Sequence, residues 1–289
     1  MDPRPGALLG GLVVLAVLAA PAPVRAQASR EAARGTLPAE RAAFPPLLAD
    51  PKEPRFSATY VWADAPALSS RLAAVGLGQT IGLVRTGRWQ VAVAAAVFSQ
   101  FDMRSSKNDL MNSDYVVGLP VAYRRGAFAA RARLYHQSSH LGDEFLLAHH
   151  LQRVDLTYEA VELLLARALG AWRLYGGGEY LFVRSPVDLR PVVAHAGVEY
   201  RARAPLVRLG RVASGRVVAA LDAKSGQDES RRVAWSGLAG LEFAAPAAAA
   251  SESGWRWRVF VQGYAGPAPY GEFYRDRLSS VGVGVGVTL

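Results

Sequence analysis

The stretch Trp255-Arg-Trp-Arg-Val-Phe-Val-Gln-Gly-Tyr-Ala265 decides how this chain folds. Its odd positions read Trp255, Trp257, Val259 and Val261, and its even positions Arg256, Arg258, Phe260 and Gln262. Side chains alternate across an extended strand, so this segment has one wholly apolar side and one charged side. Ala127–Ser138 repeats the pattern, with Phe128, Ala130, Ala132 and Leu134 set against Arg131, Arg133, Tyr135 and Gln137. Near the C-terminus, Val281, Val283, Val285, Val287 and Leu289 oppose Gly282, Gly284, Gly286 and Thr288, and those glycines leave room on the side opposite the valines.

Working outward, the same period recurs from Arg55 onward. Strands are expected at Arg55–Ala63, Val75–Arg85, Trp89–Phe101, Ser113–Arg124, Ala127–Ser138 and Leu151–Leu165. Six more are expected at Ala171–Val183, Val192–Arg203, Arg216–Lys224, Arg232–Ala244, Trp255–Ala265 and Ser280–Leu289. Leu151–Leu165 would also suit a helix over Glu159–Leu165, so a bulge or short helix is expected there. The total is about twelve strands of about ten residues each, an even number, as in membrane-spanning barrels. Connections alternate between very short (Thr86–Arg88, Arg125–Gly126) and longer (Asp102–Asn112, Ser139–His150, Pro267–Ser279), the asymmetry of periplasmic turns and extracellular loops. Ala204–Gly215 and Ala245–Gly254 are longer than that rule prefers.

A soluble sandwich would also bury one side of each strand, so alternation alone does not choose. The aromatics do. On the apolar side Trp89, Tyr123, Phe128, Trp172, Tyr200, Phe243 and Trp255 fall at one end of the strands, and Phe101, Tyr115, Phe182 and Trp235 near the other. Two aromatic girdles around an aliphatic band describe a lipid-facing surface. The fold expected is all-β, a closed antiparallel transmembrane β-barrel of about 12 strands. Its interior would hold Arg124, Arg131, Arg133, Arg153, Asp155, Glu159, Arg173, Glu179, Glu199, Arg201, Asp222, Lys224, Glu242, Arg256 and Arg258, so a filled barrel is expected rather than an open channel.

The N-terminus fits that address. Arg4, the apolar run Gly6–Ala20 and Val24-Arg25-Ala26 form a secretory signal peptide over residues 1–26, too short in its apolar part for a spanning anchor. Residues 27–54, with prolines at 45, 46 and 51, read as a periplasmic segment or plug, and 55–289 as the barrel. The chain has no cysteine, so neither disulfides nor a lipoprotein anchor are expected. The net charge of +9 is spread through strands of an exported chain, which argues for membrane lipids and lipopolysaccharide phosphates as partners and against nucleic acid. Nothing in the sequence sets the oligomeric state.

Four of the five histidines lie within Leu134–His150. His136 and Ser138 share the lipid side of one strand, near its extracellular end. A polar pair on such a surface needs a reason, either hydrogen bonding among headgroups or nucleophilic catalysis, in which His136 takes the proton of Ser138 for attack on a lipid ester. A third member is open: Asp143 or Glu144 from the following loop, or Gln152 from the next strand. Asp143, Glu144 and His140 also invite a metal reading, with calcium suited to the carboxylates and zinc to the imidazoles.

The segments Phe44–Phe56 (FPPLLADPKEPRF), Arg133–Glu144 (RLYHQSSHLGDE) and Tyr175–Gly178 (YGGG) resemble a bacterial family of barrel-like outer-membrane proteins named domain of unknown function 1207. That resemblance implies an exported barrel and no established activity. His136-Gln137-Ser138 is similar to the His-x-Ser of outer-membrane phospholipase A and of lipid A deacylase. It implies Ser138 as nucleophile and His136 as base, with Glu144 as the acidic third member of the deacylase type. The asparagine of the phospholipase pattern is missing, since Asn108 and Asn112 both precede the motif. Three roles follow as expectations: a structural or envelope-associated barrel, an outer-leaflet lipid esterase, and a narrow solute pore.

Overall fold

The computed structural model describes residues 42–65, 69–150, 153–227, 232–245 and 254–288. The expected signal peptide, residues 1–26, lies outside the described residues. Twelve long strands close into one antiparallel barrel: β1 Phe56–Asp64, β2 Arg71–Thr86, β3 Trp89–Asp102, β4 Leu110–Arg125, β5 Phe128–Leu141, β6 Thr157–Leu169, β7 Trp172–Ser185, β8 Val192–Arg201, β10 Ala213–Ser225, β11 Val233–Ala244, β12 Arg256–Pro267 and β13 Arg277–Thr288. Each pairs with its neighbours in sequence, and β1 pairs with β13 to close the ring. The short β9, Val207–Leu209, folds back on Ala213–Gly215 and accounts for the length of that connection.

The chain's two-residue turns explain the tight end. Gly87, Gly126 and Gly170 each take positive φ (57°, 57° and 69°) at the first turn position, where a side chain would be strained. These turns share an end with Phe56 and Thr288, and short inner turns mark that end as periplasmic. The opposite end carries the loop helix α1, Asp143–His149, and a 3₁₀ turn at Gly271–Phe273. Phe145 of α1 and Phe273 pack together, ring centroids 6.2 Å apart, in a cluster with Leu72, Met111 and Leu278 that caps the extracellular mouth.

The apolar faces point out. Trp255, Trp257, Val259 and Val261 are each about half exposed, as are Trp89 and Trp172 at the periplasmic girdle and Tyr115, Phe182 and Trp235 at the other. Trp89 packs against Tyr123 and Trp172 against Tyr200 as tilted ring pairs, both with centroids 4.9 Å apart. The barrel interior is filled rather than hollow. Residues 42–55 run through it: Ala43 N–H donates to Gln90 (2.7 Å), Leu48 N–H donates to Glu199 (2.7 Å), and Lys52 pairs with Asp114. Phe44 lies between the guanidiniums of Arg131 (4.8 Å) and Arg173 (4.7 Å). Arg131 bridges Glu53 of this segment (2.7 Å) and Glu162 of β6 (2.8 Å), and Arg133 joins the same Glu162 (2.7 Å). In the last strand, Gly284 leaves the space that Phe260 occupies, since a Cβ there would come within 2.9 Å of that ring.

One strand departs from expectation. β6 begins at Thr157, six residues later than the reading Leu151–Leu165, and its faces are exchanged. Arg153 and Asp155 precede the strand and are exposed, and Glu159 lies on the outer face with Val161 and Leu163. Glu162, absent from the expected interior set, is the fully buried acid that serves Arg131 and Arg133. The physical reason is register: a slip of one residue sends every side chain to the other face. The expected irregularity is a bulge, and it falls in the partner strand, where Glu159 pairs with Val183 and Ala160 with Leu181, leaving Phe182 as the extra residue.

Candidate functional site

Strand β5 carries Arg131, Arg133, Tyr135 and Gln137 inward, followed by Ser139, whose hydroxyl donates to Asn112 (2.9 Å) and accepts from the Glu272 N–H (3.2 Å). Glu272 in turn accepts from the backbone N–H groups of Leu141 (3.2 Å) and Val154 (2.9 Å). These buried bonds hold the extracellular end of β5 and orient its other face outward. On that face stand His136, Ser138 and His140, following Leu134.

Ser138 lies opposite Tyr115 of β4 and Thr157 of β6, and His136 opposite Val117 and Glu159. The His136 Nδ1 is 2.8 Å from Glu159 Oε1, both side chains 39% exposed. With that nitrogen engaged by a carboxylate, the imidazole presents Nε2 as its free acceptor, the arrangement a general base needs. Among the described residues the Ser138 hydroxyl has no hydrogen-bond partner. Such contacts often tighten only when substrate binds. His140 sits edge-on to Tyr115, ring centroids 5.8 Å apart, one step nearer the extracellular rim.

The carboxylate beside His136 is therefore Glu159 and not Glu144. Glu144 lies on α1, a helix that turns Phe145 inward and leaves its polar residues in water, so Glu144 is exposed and makes no such pair. Asp143 is engaged by Arg153 (2.5 Å) across the same exposed loop. For a metal, the donors of Asp143, Glu144 and His140 do not converge. Among the described residues the set whose donor atoms fall within 4.8 Å of one another is Glu162, Glu179 and His195. Those are interior groups already bound, Glu162 to two arginines, Glu179 to Tyr135 and Lys224, and His195 to Asp222 (2.6 Å).

A groove on the outer wall ends at His136. Leu77, Ala95, Val97, Tyr115 and Val117 line it, with Ala95 supplying the dip between larger neighbours. The sequence did not announce it, because it is made by four adjacent strands.

Fold and outer face together define an outer-membrane-type β-barrel with a serine, a histidine and a glutamate on its lipid side. The chain belongs to the family described as "Protein of unknown function (DUF1207)", whose model matches residues 19–288. No curated protein sequence matches it. Among solved structures it is similar to outer membrane phospholipase A from Escherichia coli, at 14% identity and TM-score 0.54, covering 82% of this chain and 92% of that one. It is also similar to the Salmonella typhi outer membrane phospholipase dimer with bound calcium, at 13% identity and TM-score 0.54, covering 82% and 93%. At this identity the likeness concerns the fold.

Proposed function

We propose that this barrel hydrolyses acyl esters of lipids in the outer leaflet, with Ser138 as nucleophile, His136 as general base and Glu159 as the residue that orients His136. The observation that carries the reading is the His136–Glu159 pair on an outer face made mostly of apolar side chains. Exposed polar groups at such a position cost free energy and are kept where chemistry needs them. The two solved phospholipases of similar fold act as a parallel, since their names state that activity.

In the reaction, the Ser138 hydroxyl oxygen bonds to the ester carbonyl carbon as His136 Nε2 accepts its proton. Collapse of the tetrahedral intermediate breaks the bond to the lipid alcohol, which leaves with that proton. Water then attacks the acyl-enzyme, again with His136 as base, and releases the fatty acid. The Glu159 carboxylate stabilises the imidazolium in both steps. No step requires a metal.

The test is hydrolysis by purified protein in mixed micelles of phospholipid, and separately of lipopolysaccharide. Ser138→Ala should lose activity while keeping the heat-modifiable mobility of a folded barrel. Equal rates in wild type and variant, or no rate in either on both lipids, would refute the assignment.

A further inference from the structure

The groove on the outer wall has a direction as well as an end at His136. Leu77 pairs with Val97, Val97 with Tyr115 and Tyr115 with Ser138, so these four residues form one row across β2 to β5. Beside it runs a second row, in which Ala95 pairs with Val117 and Val117 with His136. Strands of such barrels tilt, so a row that follows the hydrogen bonds changes depth in the membrane. Ser138 is three residues from the extracellular end of β5, and Leu77 is six from that end of β2. Next to Leu77, Gly76 pairs with Ser57, at the periplasmic start of β1. The path from Ser138 to Leu77 therefore descends, over three interstrand spacings or about 14 Å.

Apart from His136 and the Tyr115 hydroxyl, the lining is apolar. Leu77, Tyr115 and Val117 stand exposed along it, and Ala95 is the low point, flanked on β3 by Val93 and Val97. Its volume of about 310 Å³ is at the small end of clefts that hold single small molecules, about 300–1,000 Å³. An ester whose carbonyl carbon meets Ser138 has two arms. The alcohol arm carries the headgroup and stays with water, and the acyl arm goes to hydrocarbon. The groove is an apolar path that starts beside this serine and leads down into the leaflet. We infer that it seats the acyl chain of the lipid being cleaved, that the substrates are lipids esterified with long chains, and that Ala95 sets how such a chain lies. The inference rests on the esterase reading for the fate of the chain, and on register and side-chain size for its seat.

The experiment has two arms, both on the full barrel in a neutral detergent. The first compares hydrolysis of dipalmitoyl- and dihexanoyl-phosphatidylcholine. Ala95→Leu fills the low point and should cut kcat/KM for the palmitoyl lipid about tenfold, the lower end of what a misfit in an apolar site costs, while the hexanoyl lipid stays within about twofold. Equal losses on both lipids, or no loss on either, would overturn the inference and leave the esterase reading standing. The second arm needs no turnover. Ser138→Ala protein is irradiated with a phosphatidylcholine whose palmitoyl chain carries a diazirine, and the adducts are mapped by mass spectrometry. They should concentrate around Leu77 and Val97 and be lost when Ala95→Leu is added. That result, together with no hydrolysis by the wild type, would sink the esterase reading and keep the groove as a lipid seat. Labelling of Val259 and Val261 on β12 as strong as that of Val97 overturns the inference whatever the activity. Val97→Phe narrows the same path and takes the place of Ala95→Leu if that variant loses the heat-modifiable mobility of a folded barrel.

Discussion

Strands β5 and β12 both run from the periplasmic to the extracellular end, and their inner rows are nearly the same. One reads Arg131, Arg133, Tyr135, Gln137 and the other Arg256, Arg258, Phe260, Gln262. Their outer rows begin alike and then part. β12 continues with Trp257, Val259 and Val261, whereas β5 passes from Phe128, Ala130, Ala132 and Leu134 to His136, Ser138 and His140. The interior makes one demand all round the barrel, charge paired with charge around a threaded segment. The outer wall makes one demand too, contact with hydrocarbon, and β5 departs from it at His136, Ser138 and His140, the first of which meets a glutamate. On this comparison the inner rows hold the fold, and the polar outer row of β5 is the part that the proposed chemistry requires.

The strongest way to break that division is to disturb an inner row. Glu162→Ala leaves Arg131 and Arg133 buried without their shared partner and should cost about 3–5 kcal/mol in reversible urea unfolding from lipid vesicles, the usual loss when one member of a buried ion network is removed. A loss below about 1 kcal/mol would mean water, not Glu162, solvates those arginines.

The next test concerns the outer wall. Val259→Arg, on the apolar row of β12, should cost about 2–4 kcal/mol in the same assay, as for a cation near the bilayer midplane. Ser138→Leu on β5 should leave stability unchanged or raise it while removing activity. If Val259→Arg is neutral, hydrocarbon does not cover that face.

A third measurement sharpens the site itself. Glu159→Ala should lower kcat about 100-fold with little change in KM, as expected when a general base loses its orienting group. Glu144→Ala should match wild type. The reverse result would return the acidic role to the loop.

The smallest effect is expected outside the membrane. Asp188, in the loop between β7 and β8, accepts hydrogen bonds from Arg275 and Tyr274 of the loop between β12 and β13. The Arg275 hydrogen bond holds its carboxyl below the ordinary value of 3.8. A depressed carboxyl contributes stability that is present above its unfolded value and lost as pH falls through its folded value. Acidification from pH about 4 downward should therefore release this clamp, and the loss should stay under about 0.5 kcal/mol because the pair is exposed. Hydrogen exchange of the two loops would register it, and Asp188→Asn should remove the pH dependence.

Much of this molecule was legible in the sequence because the signals are local. A two-residue period, glycines that start tight turns, and aromatics at strand ends belong to single segments, so they specified about twelve strands, the face that most of them turn to lipid, and the shared face of His136 and Ser138. Arg153, Asp155 and Glu159 were misassigned to the interior for an equally physical reason. In β6 apolar residues occupy both faces, with Leu163, Leu164 and Leu165 in succession, so composition does not say which parity points inward. Only pairing with β5 and β7 sets it.

The tertiary structure alone decided what meets what. It brought Glu159 to His136 from 23 positions along the chain, directed Glu144 into water instead, and threaded residues 42–55 between Arg131 and Arg173. It also gathered four arginines onto Glu242. Each of these depends on strand register and barrel closure, which are agreements among distant segments, and no single stretch of sequence contains them.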